Sequence, residues 1–214
     1  MRKLTLSFDN GPFPDVTPGV LDALAAAQAT AVFFVCGKEA RDPRRRPLLE
    51  AIRAAGHRIG NHTDSHRVEL GATRDPGAPH REIEDAQAAL ADFADADKLF
   101  RPYGAGGVLG PRLLSRAAVS HLCDGGYTCV LWNSVPRDWE DVTGWPDRAL
   151  ADLRVNDWTL LVLHDIPTGA MRALPDFLSR ARDAGAELTA DLPPACVPIV
   201  RGRVVGPLEG LVAT

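Results

Sequence analysis

The chain has 214 residues, enough for one domain with a core of its own, and at 45% hydrophobic and 24% charged residues it has an ordinary globular composition. A formal net charge of −4 offers no basic face to nucleic acid or an acidic membrane. The one basic cluster, at residues 41–46, reads as a solvated loop or helix start. The opening MRKLTLSFD has no apolar stretch of signal-peptide length, and no run is long enough to span a bilayer. A cytoplasmic protein is therefore expected. Cys36, Cys123, Cys129 and Cys196 lie far apart with no C-x-x-C pair, which fits reduced thiols without a role.

In chain order, short β-branched apolar runs alternate with segments of helical period. Residues 3–8 read as a strand, followed by a turn, DNGPFPDVTPG. The helix after it has Thr17 as its expected N-cap and Pro18 at the first helical position. Residues 30–37 form a continuous apolar strand of the kind covered on both faces. A helix over 46–56 ends at Gly56 and leads into the strand-like HRIGNHT. Further helices are expected over 80–94, 110–126, 145–154 and 173–185, with strands at 98–104, 127–133 and 158–165 between and after them. Strands alternating with helices imply βαβ units, a mostly parallel sheet and a closed or nearly closed barrel in a single domain. The tail over 188–214 is ambiguous, though CVPIVRGRVVG fits a final strand pair.

The polar residues that stand out fall at the C-terminal ends of these strands, the face on which parallel barrels build their sites. Asp9 and Asn10 follow the first strand, His62 and His66 follow HRIGN, and Arg101 follows KLF. Asp138 comes soon after VLWN, and His164 ends TLLVL. Singly, each has an ordinary explanation. Asn10-Gly11 is a common turn dipeptide, H-x-x-x-H is a weak pattern that needs a helical turn to converge on one ion, and a lone arginine or histidine is usually an ion pair or a satisfied core group. His57 reads as structural, and His80 and His121 receive no role.

Taken together, SFDNGP, GNHTDSH, FRPYG, WNSVPRDW and LVLH resemble, in order and spacing, the five motifs of the polysaccharide deacetylase family (carbohydrate esterase family 4, the NodB-like deacetylases). The resemblance runs from about residue 3 to residue 185, with the motifs spanning 7–164, and implies one domain over 1–214 with a distorted (β/α)7-type barrel. It also implies hydrolysis of N-acetyl, or less commonly O-acetyl, groups on a carbohydrate with a divalent metal, zinc first and cobalt or nickel as alternatives. The family's metal ligands map onto Asn10, His62 and His66, its base onto Asp9 and its acid onto His164. In that scheme Arg101 keeps Asp9 ionised, Asp138 keeps His164 protonated, and a backbone N–H near Tyr103 stabilises the oxyanion. Trp139 either lines the pocket or belongs to the core.

The chain departs from the family pattern in places. The first motif has Asn10 where the family has a second aspartate, so weaker metal binding is expected. The third motif is one residue short before the glycine-rich GAGG, and Arg67 stands where proline is usual. Two other readings stay open: an intracellular amidohydrolase acting on a small non-sugar C–N compound, and a metal-depleted, inactive binding homologue. Intact Asp9, Arg101, Asp138 and His164 weigh against the second.

Overall fold

A computed structural model describes residues 2–213. Nine strands form one curled sheet in the order β6-β1-β2-β3-β4-β5-β8-β9, with β7 also pairing β1. Strand β1 (Arg2–Asp9) is central, and its last six residues are buried. Strand β6 (Trp158–His164) pairs with it in parallel along one edge. The other edge is shared: β7 (Ala186–Leu188) takes its start, and β2 (Ala31–Val35) takes Leu6 to Asp9.

Strands β3 (Arg58–Asn61), β4 (Leu99–Phe100) and β5 (Thr128–Cys129) continue the sheet in parallel. The expected strand over 127–133 is regular only at its start. Beyond it the chain leaves the ladder, and Ser134 bridges Leu161 of β6, where the Val162 N–H donates to the Ser134 carbonyl at 3.0 Å. The curl is thereby drawn closed. The tail ends in an antiparallel hairpin, β8 (Ile199–Val200) and β9 (Arg203–Val204), as CVPIVRGRVVG suggests.

Helices α1 (Thr17–Ala26), α3 (Arg46–Ala54), α6 (Trp145–Val155) and α7 (Leu174–Asp183) turn apolar faces towards the sheet; α2 (Gly37–Ala40) is a single turn and α5 (Arg116–Asp124) is capped by Ser115. Phe8 and Phe33 stack with ring centroids 5.0 Å apart in the main core. Truncating either to alanine would cost about 3–5 kcal/mol.

Two further expectations do not hold. Thr17 is not an N-cap by its side chain, because its hydroxyl is committed elsewhere: it accepts from the Phe13 N–H at 2.7 Å and donates to Asp165 Oδ2 at 2.6 Å. The helix expected over 80–94 is also not continuous. It opens as a π-helical turn (His80–Asp85), becomes α4 (Ala86–Leu90) and tightens to a 3₁₀ turn (Ala91–Phe93). Among the described residues no helix is long and apolar enough to cross a membrane, and all four cysteines are free.

Candidate active site

Parallel pairing sets the ends of several strands level. Asp9 lies directly opposite His164 on one side and Phe34 on the other, and Asn61 lies opposite Phe100. The next residues, Asn10, His62 and Arg101, therefore emerge at one rim. A cavity of about 290 Å³ opens there, lined on its polar side by Asp9, Asn10, His62, His66 and His164. Tyr103, Trp132 and Trp139 form much of its apolar side.

Arg101 is fully buried behind Asp9. Its Nη1 donates to Asp9 Oδ1 at 2.8 Å and to Ser7 Oγ at 2.7 Å, while Nε and Nη2 donate to the carbonyls of Val130 and Leu131. The guanidinium carbon sits 4.0 Å from the Phe34 ring centroid. Burial alone would raise the Asp9 pKa, but the charge of Arg101, with that of His164 and the Arg101 hydrogen bond, outweighs it, and the carboxyl is held below its usual value.

The second pair mirrors the first with the signs exchanged. Asp138 is fully buried, and its carboxylate accepts from His164 Nδ1 at 2.8 Å and from the His164 backbone N–H at 2.9 Å. Burial works against a charged imidazole, yet the hydrogen bond and charge of Asp138 prevail, and the His164 pKa is raised. Trp139, half-buried, meets the His164 ring edge-on with centroids 4.8 Å apart. It belongs to the cavity wall and not to the core.

His62 and His66 converge by a route the sequence did not suggest. The segment between them is not a helical turn: Thr63 and His66 take φ of 62° and 56°, and the loop doubles back. The two rings still lie 4.8 Å apart by centroid, and Tyr103 packs 4.4 Å from His66. His62 Nδ1 lies 3.0 Å from the Arg101 carbonyl, which can only accept, so Nδ1 carries the proton and Nε2 presents a lone pair. That lone pair faces Asp9 Oδ2 at 3.5 Å. Burial lowers the pKa of both histidines, that of His66 to about 3 with help from His62, so both rings are neutral donors.

Asn10 completes this corner with φ of 78°, the turn geometry expected of Asn-Gly. Its Oδ1 is buried and has no hydrogen-bond donor. A buried acceptor left bare is costly unless a cation or a donor supplies it, and Asn10 lines the same cavity as His62 and His66. The donor set thus fits a divalent ion, with two imidazoles and an amide oxygen in place of the usual three-ligand set containing a carboxylate. Among the described residues no three of His, Cys, Asp and Glu are grouped to hold an ion; here the third donor is an amide.

Several supporting residues escaped the sequence reading. Ser7, inside SFDNGP, also donates to the Leu161 carbonyl at 2.8 Å and so ties Arg101 to β6. Asp165, next to His164, is fully buried with Oδ1 unpartnered, and burial pushes its carboxyl up to about 7. It packs under the first turn so tightly that a Cβ on Gly11 would come within 2.1 Å of its carboxylate. Asn61 and Glu82 hold the His62–His66 loop from below. Trp132 donates its indole N–H to the Gly107 carbonyl at 2.9 Å and braces the glycine-rich loop. His57 is structural as expected: its Nδ1 accepts from the Ala31 N–H at 3.3 Å.

The curled, mostly parallel (β/α) barrel thus brings a buried acid and a buried histidine to one cavity at the strand C-termini, the face on which such barrels carry their sites. The sequence model of the polysaccharide deacetylase family matches residues 1–114, and the chain belongs to that family. A chitooligosaccharide deacetylase of Sinorhizobium fredii is 33% identical over 164 residues, covering 75% of this chain and 70% of that protein. A family 4 carbohydrate esterase from Streptomyces lividans, solved in complex with acetate, has the same fold with a TM-score of 0.75 over 96% of this chain and 98% of the other, at 23% identity. A family 4 acetyl xylan esterase from Clostridium thermocellum, solved with a cobalt ion, gives 0.70 over 88% and 87% at 25% identity.

Proposed function

We propose that the protein is a metal-dependent hydrolase that removes N-acetyl groups from aminosugar oligomers. The observation that carries this reading is the pair of oppositely biased groups across one cavity, Asp9 held ionised by Arg101 and His164 held protonated by Asp138. Amide cleavage needs both, a base for the attacking water and an acid for the departing amine. A divalent ion held by Asn10, His62 and His66, zinc first and cobalt or nickel as alternatives, would supply Lewis-acid polarisation of the acyl oxygen and an acidified water.

The chain's own groups do the rest. Asp9 takes a proton from the water as it attacks the acyl carbon, and Arg101 keeps the carboxylate available for it. His164 Nε2 gives its proton to the leaving nitrogen, while Nδ1–H stays on Asp138 and fixes the ring. Tyr103 and Trp139 bound the space for the acyl group, and a backbone N–H near Tyr103 serves the oxyanion. Three aromatic residues on the cavity wall favour a sugar ring over a small non-sugar amide, because ring faces stack on such walls.

The amide at position 10 favours a second reading, a family member that binds carbohydrate but turns over poorly for lack of metal. Acetate release from chito-oligosaccharides, measured with and without added zinc or cobalt, separates the two. Metal-stimulated release supports the hydrolase. No release at saturating metal, with oligosaccharide still bound, supports the binding reading.

A further inference from the structure

The loop that carries His66 is not stable by its own sequence. Thr63 and His66 both sit in the left-handed region, which β-branched and bulky residues avoid, so something outside the loop must hold it. Much of the hold comes from Glu82, a residue that lies outside all five sequence motifs. Its side chain is buried, and it forms no ion pair among the described residues. Oε2 accepts from the backbone N–H of Asp64 at 3.0 Å and of Ser65 at 2.9 Å, and Oε1 accepts from Ser65 Oγ at 2.7 Å. A buried carboxylate without a cation is expensive, and three donors converging from one short loop are what makes it tolerable.

Glu82 is aimed there by the π-helical turn His80–Asp85, a wider turn than an α-helix and one that shifts the direction of its side chains. The same turn grips the loop a second time. The Ile83 carbonyl accepts from Asn61 Nδ2 at 2.7 Å, and Asn61 Oδ1 accepts from the Thr63 N–H at 2.9 Å. On the outer side, α2 contributes the N–H groups of Gly37 and Lys38 to the carbonyls of Thr63 and Asp64. The backbone N–H groups of residues 63, 64 and 65 and the carbonyls of residues 63 and 64 are thus engaged, the His66 N–H donates to Thr63 Oγ1 at 3.3 Å, and the His66 ring packs against His62.

We infer that Glu82 is a positioning residue for His66: its buried carboxylate fixes the backbone of loop 62–66 in the conformation that sets the His66 ring against His62. The inference rests on the reading of these two imidazoles as donors to one cation. Gln can keep part of this hold, with its amide oxygen accepting from the two backbone N–H groups and its NH₂ donating to Ser65 Oγ, but it loses the negative charge that strengthens all three contacts. Ser65 should matter less, since it contributes one of the three side-chain-held contacts.

The test compares wild type with Glu82→Ala, Glu82→Gln and Ser65→Ala by zinc affinity in a competition assay, by kcat and KM for acetate release, and by hydrogen exchange of the Asp64 and Ser65 amides. A group hydrogen-bonded to a metal-ligating histidine typically contributes about 10–100-fold to metal affinity; Glu82 acts one step further out, through the backbone of Asp64 and Ser65, so Glu82→Ala should cost about tenfold, with kcat reduced more than KM is raised. The two amides should lose protection, Glu82→Gln should lie between Glu82→Ala and wild type, and Ser65→Ala should show the smallest loss. If Glu82→Ala does not fold, the other two variants carry the comparison. Unchanged zinc affinity and unchanged amide protection in the folded variants would overturn the inference. Failure of wild type itself to bind zinc would instead overturn the metal reading, and the exchange data would still decide whether Glu82 holds the loop.

Discussion

Asp9 and His164 face one another across adjacent parallel strands, and each is backed by a buried group of opposite charge. Arg101 lies behind the acid and Asp138 behind the imidazole, so one residue is biased to accept a proton and the other to give one. The separation of roles comes from environment, since both side chains sit at equivalent positions on their strands.

Asp9→Asn should abolish the base while keeping a carbonyl oxygen for Arg101. Acetate release should fall about 10²–10⁴-fold, the usual contribution of a general base. Arg101 would then be a buried cation without its counter-charge, so Tm should drop while the cooperative transition survives. Full activity in a folded Asp9→Asn protein would remove Asp9 from the mechanism.

Asp138→Asn tests the acid. His164 has a raised pKa, so as an acid it is competent below that value and fails as pH rises through it. With Asp138 neutral, burial prevails and the pKa falls. The basic limb of the kcat profile should therefore move to lower pH, with kcat reduced even at its optimum. A basic limb that stays in place would assign that ionisation to another group.

Asn10→Asp should tighten zinc binding about tenfold or more, because a carboxylate in place of a neutral amide adds Coulomb attraction to a dication. The unpartnered Asn10 Oδ1 marks the atom concerned. Equal zinc affinity in the two proteins, measured by competition with a chelator, would mean that position 10 does not touch the ion.

Asp165→Asn bears on stability. An acid whose pKa is pushed up to about 7 by burial is neutral in the folded protein while its unfolded counterpart ionises near 4. Stability associated with it is therefore fully present below about pH 4 and is lost as pH rises towards 7. Asparagine can still accept from Thr17 and carries no charge to bury. The variant should match wild type near pH 4 and exceed its Tm at pH 8; a variant less stable at pH 8 would show that the ionised carboxylate is the form the fold prefers.

Much of this was legible in the sequence because strand ends are local events. Apolar runs stopping at Asp9, Asn61, Phe100 and His164 placed the next polar residues on one rim, and order and spacing did the rest. What was missed depends on contacts distant in sequence. Thr17 looked like an N-cap because its role with Asp165 lies 148 residues away. The H-x-x-x-H segment looked as if it required a helix, whereas a strained loop held by Asn61 and Glu82 brings the rings together. Asp165 could have been suspected from its place beside His164 at a strand end. Glu82 could not, since a π turn leaves no local signature to point out which side it faces.

The most direct measurement is anomalous X-ray scattering from a crystal soaked in zinc. A single strong peak is expected about 2.0–2.1 Å from His62 Nε2 and from a ring nitrogen of His66, with Asn10 Oδ1 beside it. No peak at that corner under saturating zinc, or one held by other residues, would contradict the shared-ion site on which the proposed chemistry depends.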